Sequence, residues 1–361
     1  MSAADPARRA QIYRAAVIGC GRMGSTIDDE MAAVNSPQYP YPWAHAAAYH
    51  ESRRYRLVAG ADLDGARLAD FGRRWGGRGA PGLYQDYRRM LAEERPDVVS
   101  VTTRAQEHLE VVLACAEAGV RAVYVTKPLA QRLADADAMV RACRERGTLL
   151  ATAAHLNWDP WYDAARALFG ADAPLGALRS VVCHSSHPLS NIQSHTLCLF
   201  RHFTGAPVEW VWGELSDSRA AGGERDLAGS GYLAYANGVR GVLNARAGRP
   251  GIGWNLEFIG ERGWVSSLNG HATFDAWALL PGQQQPARLQ FPNPRQPRSS
   301  MLAAVDAIAA DLDAGVTDGS ACPGDYGREA LEVALAIRES HRRGHIPVRL
   351  PLEDRSLAIL V

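Results

Sequence analysis

Lys127 is the only lysine in a chain of 361 residues, so 38 of the 39 basic side chains are arginine. Arginine keeps its proton near neutral pH, whereas a lysine amine can be tuned to lose one. Lys127 is therefore the first candidate for proton chemistry. It follows the apolar run Ala122-Val123-Tyr124-Val125 and precedes Pro128, where a buried strand is predicted to end. Open α/β sheets place their ligands at such C-terminal strand ends.

A second set of residues is of a type that binds. Gly19-Cys20-Gly21-Arg22-Met23-Gly24 fits G-x-G-x-x-G directly after the apolar run Ala15 to Ile18. The first glycine allows a tight turn, the second lets backbone approach a pyrophosphate, and the third lets helix and strand pack closely. Asp62, ending Val58-Ala59-Gly60-Ala61-Asp62, is placed to accept hydrogen bonds from ribose hydroxyls and to repel a 2′-phosphate. Leu63 and Asp64 follow it with no adjacent arginine, so NAD is expected over NADP. Asp62 lies 38 residues past Gly24, against about 20 in the usual pattern. The excess, Asp28 to Tyr49 with Pro37 to Trp43 inside it, reads as an insertion. It is either a proline-stiffened flap over the substrate or a surface loop packed on itself.

Such residues need a frame, and the first 150 residues supply alternating signals for one. Strands are predicted at 15–18, 57–59, 98–101, 122–125 and 148–151, with helices at 106–118 and 133–146 closed by Gly119 and Gly147. That alternation predicts a doubly wound parallel sheet. Beyond residue 155 the pattern changes. A helix at 161–169 precedes strand signals at 178–184, 208–214, 231–235, 240–245, 255–259 and 264–268, with an Asn237-Gly238 hairpin turn. Helices at 301–312 and 327–341 close the chain, and 281–297 reads as a long loop with an embedded strand. The expectation is an α/β chain: a Rossmann domain over 1–154, then an α+β domain over 155–361 with a large, mostly antiparallel sheet.

Bulk properties bound the function. The formal charge is zero and 22% of residues are charged, so no field favours nucleic acid or an anionic membrane. No window approaches a membrane span, and Met1 to Gln11 lacks a signal-type apolar stretch. Six scattered cysteines, several in apolar runs, suggest reduced thiols in a cytoplasmic protein. His184, His187, His195 and His202 have no nearby Asp, Glu or Cys that completes a convincing ligand set, so no metal is expected. His155 and Asn157 either face the cleft or cap a strand end. Trp158 and Trp161 are core residues by spacing, with sugar stacking as the alternative. Trp210 and Trp212 point to one side of a strand, which suggests a sheet face covered by a second subunit.

With these pieces in order, the chain resembles the Gfo/Idh/MocA oxidoreductases, the glucose-fructose oxidoreductase and inositol dehydrogenase family. The likeness runs through residues 16–24, Arg95 to Val101, Thr103 with His108, and Thr126-Lys127-Pro128-Leu129-Ala130. It continues through Asn157-Trp158-Asp159-Pro160, Ser194-His195, Leu199 to Gly205 and Leu256 to Gly263. The resemblance implies hydride transfer between a sugar or cyclitol hydroxyl carbon and nicotinamide. It also implies that Lys127 and His195 handle the hydroxyl proton, His195 as an acid/base group of near-neutral pKa. Thr126 stands where the family has Glu, Asn191 where Asp is usual, Arg104 where Pro is usual and Cys198 where Asp is frequent.

The candidate cofactor set is Gly19, Gly21, Arg22, Met23, Gly24, Asp62, Thr102, Thr103, His108 and Lys127. The candidate substrate set is Lys127, His155, Asn157, Trp158, Asn191 and His195, with Lys127, His195 and Asn191 nearest the chemistry. The leading expectation is an NAD(H)-dependent dehydrogenase of a sugar, cyclitol or glycoside, assembled as a homodimer or homotetramer through the C-terminal sheet. The lost carboxylates at 126 and 191 raise a second: a redox-neutral lyase, epimerase or glycoside-cleaving enzyme that holds NAD tightly. A catalytically degenerate nucleotide sensor is the third.

Overall fold

The computed structural model describes residues 11–34, 40–217, 222–247, 254–291 and 298–361. Six short apolar runs form its first sheet: β1 (Tyr13–Ile18), β2 (Tyr55–Ala61), β3 (Gly82–Tyr84), β4 (Val98–Val101), β5 (Ala122–Thr126) and β6 (Leu149–Ala153). They align in the order β3-β2-β1-β4-β5-β6, all parallel. Every residue of β4, β5 and β6 is buried, as expected where helices cover both faces. Those helices are α1 (Ile27–Val34), α2 (His45–Glu51), α3 (Gly65–Trp75), α4 (Tyr87–Glu94), α5 (His108–Glu117) and α6 (Leu133–Glu145). Asp64 and Asp86 cap α3 and α4 by accepting two backbone N–H groups each. The strand order reverses between β1 and β4, and ligands of such sheets bind at that crevice.

The second half carries α7 (Pro160–Arg166), β7 (Leu178–His184), α8 (Gln193–Thr204), β8 (Val208–Leu215), β9 (Gly229–Tyr235), β10 (Arg240–Asn244), β11 (Asn255–Gly260), β12 (Gly263–Leu268), β13 (Thr273–Ala278) and β14 (Ala287–Leu289). It ends with α9 (Ser300–Asp313), α10 (Gly324–Arg342) and β15 (Val348–Arg349). Its nine strands run β14-β13-β12-β11-β7-β10-β9-β8-β15, antiparallel throughout except for the β7–β10 pair. The Asn237-Gly238 turn joins β9 to β10 as the sequence suggests. Helix α10 lies so close to one face that a Cβ added at Gly213 or Gly231 would meet Ile337 at 2.7 or 2.8 Å. Trp212 and Tyr232, paired across β8 and β9, are partly exposed, with Trp210 ring-to-ring against Tyr232.

The two halves are tied by a charged network. Glu332 on α10 is almost fully buried and accepts from Arg355 at 2.5 Å, Arg328 at 3.1 Å and the Leu352 N–H at 2.9 Å. The same two arginines reach Asp137 on α6.

The segment 28–49 departs from expectation. Among its described residues, α2 is an integral helix whose Ala46, Ala48 and Tyr49 are fully buried. His45 on it accepts or donates a 2.8 Å hydrogen bond with Ser100 of β4. The alanine run His45 to Tyr49 reads as low-information sequence, yet small side chains let this helix lie against the sheet. Residues 37–39 of the proline-rich stretch lie outside the described residues, as do 292–297 of the long loop and 1–10 at the N-terminus. Among the described residues, no helix is long and apolar enough to cross a membrane.

Removing one partner of a buried ionic cluster leaves uncompensated charge, at a cost of about 3 kcal/mol. Glu332→Ala is therefore expected to lower the urea midpoint clearly. Arg89→Ala, which breaks only an exposed pair with Glu93, should leave it in place.

Candidate active site

The glycine loop after β1 forms a cradle at the reversal of strand order. Gly19 has φ +96°, and a Cβ there would strike the Thr102 carbonyl carbon at 2.8 Å and the Thr103 nitrogen at 2.9 Å. A Cβ on Gly24 would lie 2.0 Å from the Gly19 oxygen. Gly21 is different: its nearest neighbour would be the Arg67 guanidinium at 3.7 Å. So the first and third glycines serve packing, while the second leaves the backbone open to a ligand. Arg22 and Met23 open the following turn, and Arg22 forms an ion pair with Glu30 at 2.9 Å. This loop, its helix start and Asp62 fit the diphosphate and ribose of a dinucleotide.

Asp62 is already engaged. Its Oδ2 accepts from the Cys20 N–H at 2.8 Å and its Oδ1 from the Asp64 N–H at 2.9 Å, which holds the carboxylate beside the glycine loop. Arg67 stands 3.9 Å from the same carboxylate. The sequence expectation of no arginine here is corrected: residue 67 is five positions on, and the first turn of α3 brings it back.

Thr102 donates to the Ile18 carbonyl at 3.1 Å and also contacts the Gly19 carbonyl, joining the β4 end to the glycine loop. The Thr103 carbonyl lies 3.2 Å from His108 Nε2, and His108 Nδ1 lies 2.9 Å from the Leu129 carbonyl. His108 is buried, and its ring bridges the β4 loop to the segment carrying Lys127. Thr126, where a glutamate would stand, turns its hydroxyl to the Val101 carbonyl at 3.3 Å.

Lys127 extends from the β5 end into the cleft, and its Nζ donates to Asn191 Oδ1 at 2.8 Å. Burial pulls its pKa from 10.5 down to about 8. The charge of Arg22 adds to that fall, and Asp226 partly offsets it. His155 and His195 sit edge to face with ring centres 4.3 Å apart. Burial, then Lys127, lowers His155 to about 4. His195 is driven well below its ordinary value by burial, His155, Lys127 and His271 in that order. The near-neutral pKa expected of His195 is thus corrected. Both imidazoles are neutral at pH 7, and His195 Nδ1 is buried with no hydrogen-bond partner among the described residues.

Rings extend this cluster on both sides. Trp43 meets His155 at 5.5 Å, Trp254 meets His195 at 5.9 Å, and His271 meets Trp254 at 4.9 Å. Trp254 is fixed by donation to Thr196 Oγ1 at 2.9 Å. Sequence reasoning missed Trp254, His271, Asp226 and Arg67. Trp43 alone carried a signal, as an aromatic beside prolines.

Two expected substrate residues lie elsewhere. Asn157 donates to the Cys198 carbonyl at 3.2 Å and the Ala321 carbonyl at 2.9 Å, pinning α8 to the loop before α10. Trp158 is buried edge-on against Tyr124, 5.5 Å away, in core packing. Among the described residues, no three His, Cys, Asp or Glu side chains converge as metal ligands.

The family model for Gfo/Idh/MocA, an oxidoreductase family with an NAD-binding Rossmann fold, matches residues 13–154. The model for the same family's C-terminal domain matches residues 147–266. D-apiose dehydrogenase of Paraburkholderia graminis is 33% identical over 148 residues, 41% of this chain but only 34% of that protein. Myo-inositol 2-dehydrogenase of Thermotoga maritima is 23% identical over 91% of this chain and 96% of its own. The aldose-aldose oxidoreductase of Caulobacter crescentus superposes with a TM-score of 0.75 at 22% identity, covering 94% of this chain and all of that one.

Gly21→Val should fill the open cradle without disturbing the loop. NAD affinity is expected to fall at least about tenfold in calorimetric titration, with the melting temperature unchanged. Asp62→Ala removes the repulsion facing a 2′-phosphate and frees Arg67, so the ratio of NAD to NADP affinity should fall.

Proposed function

The chain belongs to the Gfo/Idh/MocA oxidoreductase family, and on that footing we propose an NAD(H)-dependent dehydrogenase acting on a secondary alcohol of a sugar, cyclitol or glycoside. The observation that carries this reading is a single buried amine of pKa about 8, at a strand end of the dinucleotide fold, flanked by two neutral imidazoles. Residues 1–154 are assigned to the cofactor and 155–361 to substrate and assembly. Asp62 favours NAD over NADP. The partly exposed aromatic face around Trp212 and Tyr232 is assigned to homodimer or homotetramer contacts.

Bound NAD supplies the nicotinamide carbon that exchanges hydride with the alcohol carbon. Lys127 does the proton work. In alcohol oxidation its neutral amine accepts the hydroxyl proton as the C–O bond becomes a carbonyl. In reduction its ammonium gives that proton back. Arginine could do neither. His195, neutral, hydrogen-bonds the same hydroxyl and fixes its direction toward Nζ. Asn191 holds Nζ in place through its amide oxygen and exchanges no proton. His155 presses His195 from one side, and Trp43 and Trp254 offer ring faces for the apolar side of a sugar or cyclitol.

Retained NAD with turnover but no net nicotinamide reduction would instead favour the redox-neutral enzyme. The observation behind that second reading is that the direct partner of Lys127 is an amide, where a carboxylate could itself exchange protons.

The test is NAD+ reduction across a panel that includes myo-inositol and D-apiose. One substrate class should turn over, and Lys127→Arg should keep NAD binding while losing at least about 10²-fold in kcat. Unchanged turnover would remove Lys127 from the mechanism. The active form in oxidation is the free amine. So kcat/KM for the alcohol should climb as pH rises toward about 8 and level off above it. The reverse reaction should show the opposite slope.

A further inference from the structure

An ammonium in a largely buried cleft needs a counter-charge or loses its proton, and among the described residues the only hydrogen-bond acceptor for Lys127 Nζ is the oxygen of a neutral amide. A carboxylate stands one step behind that amide. Asp226 accepts the Ser190 N–H at 2.9 Å on one oxygen and the Asn191 N–H at 2.7 Å on the other. One oxygen therefore holds the backbone of Asn191, the lysine's partner, and the other holds that of Ser190 just before it. Asp226 is itself held firmly. Its N–H donates to the Leu360 carbonyl at 3.1 Å, and the Leu360 N–H donates to the Glu224 carbonyl at 2.7 Å. Leu189 N–H to Leu227 carbonyl at 3.0 Å, with the bridge between Pro188 and Ala228, ties the two loops together.

We propose that Asp226 is the positioning residue of this site: it fixes Asn191 against Lys127 and supplies the negative charge that keeps the buried amine titratable. Among the described residues, Asp226 is the carboxylate whose charge raises the lysine's pKa. Arg22, His155 and His195 are the remaining groups around it: Arg22 opposes protonation, and the two imidazoles are neutral. The effect is mutual, since Lys127 favours the ionised form of Asp226. Without Asp226 the amine would face Arg22 and burial alone. A smaller fraction of it would then carry the proton that the reductive direction must return.

The chain has one lysine, so [13C]lysine labelling gives a single ε-carbon resonance whose shift against pH reports Lys127 alone. In the whole protein without substrate, Asp226→Asn should move that midpoint down by roughly half a pH unit or more, and Asp226→Glu should return it toward the wild-type position. A merely structural role would open the cleft to water and raise the midpoint. A midpoint that stays or rises in a folded Asp226→Asn overturns the proposal. Should that variant fail to fold, Asp226→Ser, which retains one acceptor oxygen, is read by the same criterion. The kinetic consequence rests on the dehydrogenase reading: the acidic limb of kcat/KM should follow the resonance. The resonance needs no substrate, so failure of the proposed reaction and failure of the Asp226 assignment are distinguishable.

Discussion

One buried amine sets the terms for the rest of the site. Taking an ammonium out of water is costly, and a protein meets that cost by neutralising the group or by compensating it. Here both operate partway. Burial and Arg22 lower the affinity of Lys127 for its proton, while Asp226 and the Asn191 oxygen support the charged form. The balance leaves a group that can both take and give a proton near neutral pH, which a surface lysine or any arginine could not do. The same buried charge acts on His155 and His195 and helps keep both imidazoles neutral.

Holding that balance requires two sheets. The parallel sheet delivers the glycine cradle, Asp62 and Lys127 to one edge, since successive strands all end there. The mixed sheet delivers α8 with His195, the Asn191 loop and the Asp226 loop from the opposite side. Their relative placement rests on internal ties far from the chemistry, such as Asn157 between α8 and the 321 loop. The Glu332 cluster between α6 and α10 acts likewise. Asn157 and Trp158 serve the site through this scaffold and not through contact. Helix α2 contributes in the same manner, and just ahead of it Trp43 reaches the cleft. The backbone N–H of Trp43 donates to Asp28 at 2.7 Å.

Much of the frame was legible in the chain itself. Apolar runs of four to seven residues, glycine stops at 119 and 147, and the Asn237-Gly238 turn mark elements whose burial pattern is set locally. Strand β7 spans the very residues the alternation picked out, 178–184. Short or weakly patterned pieces escaped: β3 with three residues, β15 with two, and the alanine-rich α2. Such segments carry too few side chains to show a period. Their structure comes from the surface they pack on.

The sequence by itself determined that this chain folds as a dinucleotide-binding α/β unit followed by a mixed sheet, and it singled out Lys127 as the candidate for proton chemistry. Those conclusions rest on residue types that local geometry demands: glycine where backbone must turn or approach, lysine where a proton must move. Tertiary structure alone decided which groups govern the amine. Asp226 acts on the amine from its own loop, and Trp254 and His271 act on the neighbouring His195, with nothing in their local sequence to mark them. Their effect arises from distance and burial, and both are properties of the packed molecule. For the same reason a histidine whose unperturbed pKa lies near neutrality becomes a neutral ring once it is enclosed beside another imidazole and a lysine.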